Sequence, residues 1–392
     1  MNILYVASGI PVPGSLGGST HTVEVARGLA NRGHHVHVVA VSAEGHTNLH
    51  HLWTPTQLGH HNFTIHHIDI PKPLSLLATP TIMQLVHRLK PDVVMERYYN
   101  FAGAGMLAAR RFGLPTLLEV NALIVDPPSV RKRQIDDLLG GPMRRWATRQ
   151  CQWADAIVTP LHTTVPAEID RARIHEHPWG ADVERFVPRL SQRPTTHIPT
   201  VIFIGSFRAW HGANHGVAAA QLVLDRGINA KFIFVGDGPE LAEAKAIAHN
   251  YPAIEFTGMQ PYTRMPELLQ SADIGIAPFD TSKHPALQAA GFFWSPLKVH
   301  EYMASALPVI TSDITPLNHI VRHEREGLLV KEGDVGALAD AMQRLIEHPD
   351  YATHLGQAGR ERVVAHYSWQ QHCATLDAIL HDIVAQRQRR VG

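Results

Sequence analysis

The chain has 392 residues, and at roughly 150 residues per domain that makes two domains, or two with an appendage. A composition 45% hydrophobic and 18% charged, with 29 Gly and 27 Pro, is that of a globular protein and excludes a disordered, collagen-like or membrane-spanning chain. Lys and Arg number 35, as do Asp and Glu, so no overall field favours nucleic acid; the two cysteines, Cys151 and Cys373, stand too far apart for a C-x-x-C site and argue against a disulfide framework.

The run from Met1 to Ile10 is apolar but has no basic start, and Pro11 and Pro13 follow it. It reads as a buried strand over 3–6 entering a loop, and not as a secretion signal, so a cytoplasmic location is expected. A glycine loop occupies 14–19, and the helix after it carries Val23, Ala26, Leu29 and Ala30 on one face and ends near Gly33. Strands are predicted over 36–41, 92–96 and 116–120, with a helix over 106–112. The His-rich stretch 44–67 has weak periodicity and supports no assignment. Residues 189–200, rich in Pro, Thr and Arg, read as a linker between a domain over 1–188 and one over 201–366. A last helix within 367–392 is expected to return to the first domain. Beyond the linker the pattern restarts, with strands over 201–204, 231–235, 253–257, 274–277 and 309–311. Continuous apolar strands alternating with helices indicate parallel sheets covered on both faces. The expectation is an α/β protein of two Rossmann-like, doubly wound domains with the active cleft between them.

Two stretches carry chemistry. Gly17 and Gly18 stand between the first strand and helix, with Ser19 or Thr20 as the N-cap, where bare amides suit an anion such as a phosphate. The spacing is not G-x-G-x-x-G, and the same pair also reads as a plain turn needing positive φ. In 295–304, Ser295 is a natural N-cap and Pro296 fits the first helical position. The amides of Leu297 and Lys298 would then point out of the positive end of the helix, and Lys298 adds a full charge, a seat for a diphosphate. Glu301 lies one turn on, about 4.5 Å along the axis, and a carboxylate there needs hydroxyl donors, as on a ribose. The plain alternative is a capped amphipathic helix with a Lys/Glu surface pair.

With these pieces, the chain resembles a family 4 retaining glycosyltransferase of the GT-B fold, over essentially its whole length. The resemblance is carried by Gly17-Gly18, Leu29-Ala-Asn-Arg-Gly-His34, Glu119-Val-Asn-Ala122, Pro178-Trp-Gly-Ala-Asp182 with Phe186 and Pro188, and Gly205-Ser-Phe-Arg-Ala-Trp-His-Gly212. Val235-Gly-Asp-Gly-Pro239, Phe256-Thr-Gly258, Ser271-Ala-Asp-Ile274 and the S-P-x-K-x-x-E-Y-M-A stretch from Ser295 complete it. The resemblance implies a metal-independent hexosyltransferase that uses no cofactor and takes a nucleoside-diphosphate sugar as donor substrate. Its acceptor would be a glycan, a lipid-linked or a small molecule. Glu301 matches the second glutamate of the family's E-x7-E element and should hold the ribose, while the first position is Phe293. Lys298 and the helix start, with Ser295, Pro296 and Leu297, should hold the phosphates. Where the family usually has Arg and Lys, Ser206 and His211 stand here, so clamping is expected to shift to Arg208. Gly258 and Met259 resemble the turn that reads the nucleobase. On the acceptor side, Asn121 replaces a common histidine, leaving the donor phosphate to take the acceptor's proton, and Glu96, Arg97, Tyr98 and Glu119 end the strands that line the pocket. Ala306 stands where a helix-ending glycine is usual, so a different helix end is expected. A non-catalytic nucleotide-sugar-binding subunit and a sugar-nucleotide epimerase are the rival readings.

Of the 28 histidines, His34, His35 and His37 and the pairs His50/His51, His60/His61 and His66/His67 stand out, but none has an H-E-x-x-H context, so no metal site is expected. No D-x-D, P-loop or G-x-S-x-G motif occurs. The basic run from Arg131 to Trp153, with Trp146 between arginines, has two readings: a surface for peripheral contact with an anionic membrane at its inner face, or a solvated helix face with its tryptophans in the core. Nucleic acid is disfavoured by the neutral total.

Overall fold

The computed structural model describes residues 1–14, 17–42, 54–190, 193, 194 and 196–391, the side chain of residue 391 excepted. His50 and His51 lie outside these residues, as do parts of the predicted glycine loop and linker. The chain forms two units, one of Met1–Trp179, Phe293–Ser295 and Trp369–Gly392, the other of Gly180–Phe292 and Pro296–Ser368.

The strands of the first unit are β1 Asn2–Pro11, β2 His35–Val41, β3 Thr56–His60, β4 Phe63–His67, β5 Val93–Tyr98, β6 Thr116–Val120, β7 Ala156–Thr159 and β8 Ile174–Glu176. Among the described residues they form one sheet in the order β3-β4-β2-β1-β5-β6-β7-β8, parallel except for the β3–β4 hairpin. That hairpin is the part of the His-rich stretch without an assignment. Its inward positions are shared by Phe63, Ile65 and His67, whose ring nitrogen bonds the Val12 carbonyl, so histidines blur the apolar alternation. The helices are α1 Gly17–Asn31, α2 Thr79–Leu89, α3 Ala104–Phe112, α4 Arg131–Leu138 and α5 Pro142–Trp153. Gly17 and Gly18 are themselves the first residues of α1, and neither has a positive φ. Ser19 and Thr20 are therefore buried helical residues and not an N-cap, and the turn reading of the glycines falls too.

The second unit has the sheet order β11-β10-β9-β12-β13-β14 among the described residues, all parallel, from β9 Thr200–Ile204, β10 Lys231–Val235, β11 Ile254–Gly258, β12 Ile274–Ala277, β13 Val309–Ser312 and β14 Gly327–Val330. Its helices are α6 Ala213–Asp225, α7 Leu241–Ile247, α8 Met265–Ser271, α9 Pro285–Ala290, α10 Leu297–Ala304, α11 Leu317–Ile320, α12 Val335–Glu347 and α13 Pro349–His366. Phe203, Phe232, Phe234 and Ile276 pack against Val217, Val223, Leu338 and Met342 to form its core. The edge strand β14 escapes sequence reading because only Leu328, Leu329 and Val330 carry it.

The chain passes into the second unit at Gly180, ahead of the boundary expected at 188. The reason is hydrogen bonding. The Ala181 amide donates to the Tyr367 carbonyl at 2.8 Å, and the Arg360 guanidinium donates to the carbonyls of Phe186 and Val183 at 2.7 and 2.8 Å. Arg189 and Arg193, which give the segment its linker-like composition, bind Ala272 carbonyl and Asp273 carboxylate. The last helix, α14 Trp369–Val391, belongs to the first unit, where Cys373 Sγ fills the space left by Gly28 of α1; a Cβ there would lie 2.3 Å from the sulfur.

Helix α10 ends otherwise than expected. Ala306 does take the left-handed conformation, at φ +55°. The Leu307 amide donates to the Tyr302 carbonyl and the Ala306 amide to that of Met303, both at 3.0 Å. This pair of bonds is a Schellman motif, whose satisfied carbonyls offset the strain of an alanine in place of glycine.

In the basic segment, Trp146 donates to the Ala102 carbonyl at 2.8 Å and Arg110 stacks over Trp153 at 4.7 Å, so the tryptophans face α3. Leu138 and Leu139, at the end of α4, are 87% and 67% exposed. No helix among the described residues is long and apolar enough to cross a membrane.

Candidate functional site

In the second unit, α10 is held against the sheet by Tyr302, whose hydroxyl oxygen accepts from the Ile204 amide at the end of β9 at 2.8 Å. The helix begins at Leu297. Pro296 is the residue before it, with ψ 72°, and makes no side-chain cap. Ser295 is not the N-cap, because its hydroxyl accepts from the Trp179 amide at 2.8 Å within the first unit. The consequence for the amides survives this shift: Leu297 and Lys298 are the first two helical residues, so their N–H groups have no intrahelical acceptor and sit at the positive end of the dipole.

Lys298 is buried, and its ammonium has no hydrogen-bond partner among the described residues. It lies over the rings of Phe203 and Phe279, at 4.2 and 4.9 Å. Burial among rings, offset in part by Glu301, lowers its pKa to about 7. The β9 turn closes around it. A Cβ on Gly205 would come within 2.5 Å of Lys298 Nζ and 3.1 Å of His211 Nδ1, so both nitrogens flank the bare Cα. Ser206 Oγ lies 3.3 Å from His211 Nδ1. Burial, with the charges of Lys298 and Arg208, pushes His211 down to about 2, so without ligand it is a neutral imidazole. Arg208 is exposed and stacks over Trp210 at 5.3 Å.

Glu301 is 3% exposed. It accepts from the Tyr262 hydroxyl at 2.8 Å, and burial raises its pKa to about 8 against the pull of that bond, Arg185 and Lys298. Arg185 lies over the Tyr262 ring at 5.4 Å. Gly258 ends β11 at φ +68°, and Met259 after it is 72% exposed. Lys298, Glu301, Leu297, Ser206 and His211 thus surround the β9–α10 junction. Phe293, in the E-x7-E position, is buried in the first unit. Tyr262, Arg185 and Phe279 escaped sequence reading because they belong to no local motif.

In the first unit, a second group gathers where β1, β5 and β6 run toward the start of α1. Glu119 is its hub. Tyr5 hydroxyl donates to it at 2.5 Å, Asn121 Nδ2 at 2.7 Å and Arg97 at 3.3 Å, and His21 Nε2 lies 2.5 Å away. Trp179 Nε1 donates to Asn121 Oδ1 at 2.9 Å, so the asparagine is held from both sides. His21 is walled in by Trp179, Trp369 and His372, and burial with Arg97 holds its pKa well below the usual range. Gly17 faces the Trp179 ring and Gly18 the Arg97 guanidinium, each nearly 4 Å from a Cβ position. Glu96 is fully buried and accepts from the Gly103 and Met106 amides at 2.8 Å, which caps α3. Tyr98 is also buried, its hydroxyl 3.4 Å from the Ile124 carbonyl. Tyr5 and His21 went unnoticed in the sequence, since a tyrosine in a buried strand and a histidine in a helix read as core.

Residues 16–185 match the family model described as Glycosyltransferase Family 4, and residues 198–348 the one described as Glycosyl transferases group 1. The GDP-mannose-dependent alpha-mannosyltransferase of Mycobacterium tuberculosis is 27% identical, over 95% of this chain and 94% of its own length. Alpha-maltose-1-phosphate synthase of Mycolicibacterium smegmatis is 28% identical, over 73% of this chain and 78% of its own. Among solved structures, sucrose-phosphate synthase from Thermosynechococcus elongatus superposes with a TM-score of 0.72 at 19% identity, covering 98% of this chain and 99% of that one. Two successive regions of the chain thus match glycosyltransferase family models, and its two parallel sheets are those of the GT-B fold.

Proposed function

We propose that the protein is a retaining, metal-independent hexosyltransferase that moves a sugar from a nucleoside-diphosphate sugar to a glycan, lipid-linked or small-molecule acceptor. The observation that carries this reading is Lys298, a buried ammonium with no hydrogen-bond partner among the described residues, beside the two open amides of a helix start. A cation so placed calls for an anion. When the sugar departs, charge develops on the leaving phosphate oxygen, and Lys298 with the Leu297 and Lys298 amides is arranged in advance to meet it. His211, Ser206 and Arg208 border the same seat. Glu301, with Tyr262 on one oxygen, has acceptor capacity left for the ribose hydroxyls. Asn121 offers no titratable group and is held by Glu119 and Trp179, which supports transfer of the acceptor's proton to the donor phosphate itself.

A thermal-shift panel of UDP-, GDP- and ADP-sugars, followed by turnover assays, tests this. A stabilising donor whose effect is lost in Lys298→Ala, transfer unaffected by EDTA, and a product with the donor's anomeric configuration are the expected results. Binding with neither transfer nor slow donor hydrolysis identifies a non-catalytic subunit. Interconversion of donors without an acceptor identifies an epimerase.

We also propose a cytoplasmic protein with peripheral contact to an anionic membrane through Leu138 and Leu139 and the arginines around them. Co-sedimentation with anionic vesicles should fall as salt rises and disappear in Leu138→Ser/Leu139→Ser.

A further inference from the structure

We infer that His34, Asp377 and His381 form a zinc site that ties the last helix to the beginning of the chain. The three supply ligand atoms that all lie within 4.8 Å of one another. Asp377 and His381 are four apart on α14 and so share a face, and His34 reaches them from the turn between α1 and β2. Asp377 Oδ1 is 2.8 Å from His34 Nε2 and 3.3 Å from His381 Nε2. Ligands bound at 2.0–2.1 Å in a tetrahedral zinc site stand about 3.3 Å apart, so an ion fits among these atoms with adjustments of side chains alone.

The surroundings suit a ligand set and not merely a surface cluster. Arg32 Nε holds the other carboxylate oxygen of Asp377 at 2.7 Å, which fixes the orientation of Oδ1 and leaves it for the shared position. Such outer partners are what orient ligating carboxylates. His34 Nε2 is the ring nitrogen that faces Asp377, and its Nδ1 lies 3.1 Å from the Met1 amine; zinc on Nε2 moves the ring proton to Nδ1, so the amine must then bind as the neutral base or turn away. His34 is buried while the His381 side chain is 62% exposed, which gives an anchored ligand, an entry path and a fourth position facing solvent. Two imidazoles and one carboxylate suit Zn²⁺ and the neighbouring transition ions, and not Mg²⁺ or Ca²⁺, which prefer oxygen alone. The site lies wholly within the first unit, so it is independent of the sugar-transfer reading. Its effect is to pin α14, which reaches this unit from the far end of the chain.

The test uses the full chain, stripped with EDTA, desalted and titrated with Zn²⁺ against a chromophoric chelator. Because other histidines bind zinc weakly, the quantity read is the difference from His381→Ala, which alters an exposed side chain. Wild type should bind one more tight equivalent than this variant, and should gain thermal stability with zinc where the variant does not. Asp377→Asn should weaken the same equivalent by at least roughly tenfold, the loss typical of disturbing even an outer partner. His381→Asp, which restores a ligand atom, should recover part of the affinity. Bound Co²⁺ should give tetrahedral absorption bands in wild type only. Equal tight stoichiometry and equal thermal gain in wild type and His381→Ala would overturn the proposal.

Discussion

Glu119 and Lys298 are both ionisable groups buried near the ends of parallel strands, yet their surroundings are opposite. Glu119 accepts from Tyr5, Arg97 and Asn121, with His21 Nε2 close beside it. Lys298 rests on two phenyl rings with no acceptor among the described residues. A buried group satisfied by its own protein stabilises the fold; one left unsatisfied weakens the fold, and a ligand that completes it restores the loss. Around Glu119 the first unit is therefore largely complete, although the His21 ring nitrogens have no hydrogen-bond partner among the described residues. The second presents an incomplete site. Glu301, bonded by Tyr262 alone among the described residues, lies nearer the second kind.

The largest test of this contrast is Glu119→Ala. Removing the hub leaves Arg97 buried without its carboxylate and Tyr5 without an acceptor, which should cost about 3–5 kcal/mol of stability, read by urea unfolding. Lys298→Met should do the reverse: stability equal or higher, with nucleoside-diphosphate affinity weaker by about 1.5–3 kcal/mol, read by calorimetric titration. If Lys298→Met unfolds the protein as readily as Glu119→Ala, the ammonium is structural and the contrast collapses.

Titration sharpens the contrast within the site. Bound diphosphate keeps Lys298 protonated, raising its pKa above the free value of about 7. In Glu301→Gln, which also removes the carboxylate that holds the lysine up, affinity should therefore begin to fall below pH 7, by up to about tenfold per unit. Lys298→Ala isolates the carboxyl instead. Glu301 must give up its proton to accept two hydroxyls, so affinity should rise with pH past about 8, because this variant lacks the lysine charge that lowers the carboxyl in the free protein. Profiles of the same sign in both variants would remove one of the two roles. The smallest expected effect lies outside the site. Ala306→Gly should relieve the left-handed strain and raise stability by up to about 1 kcal/mol, with nucleotide affinity unchanged.

Sequence patterning revealed most of the second unit, because its strands are apolar runs between glycine turns, and in 295–304 the proline, Lys298 and Glu301 suggested a phosphate and ribose seat. The helix start was misplaced by its cap: Ser295 has the right side chain, but its hydroxyl is engaged by a backbone amide from residue 179. Ala306 misled in the other direction, since the strain of one residue is visible in sequence while the two bonds that offset it are not. The Glu119 network was legible only in part, as Arg97, Glu119 and Asn121 at strand ends without Tyr5 or His21. Its members come from positions 5, 21, 97, 119 and 121, and only the sheet order brings them together. The His34, Asp377 and His381 cluster is hidden for the same reason, with 343 positions separating two of its members.

The return of α14 has a consequence for synthesis. Gly28 waits for Cys373, and His21 for Trp369 and His372, so the core of the first unit stays open at one face until almost the entire chain has been translated. The second unit is an insertion completed by residue 368 and can close its sheet earlier. The domain made first is thus the domain finished last. Until then the apolar side of α1 is bare, and a chain cut after residue 368 is expected to fold its second unit beside an unfinished first one.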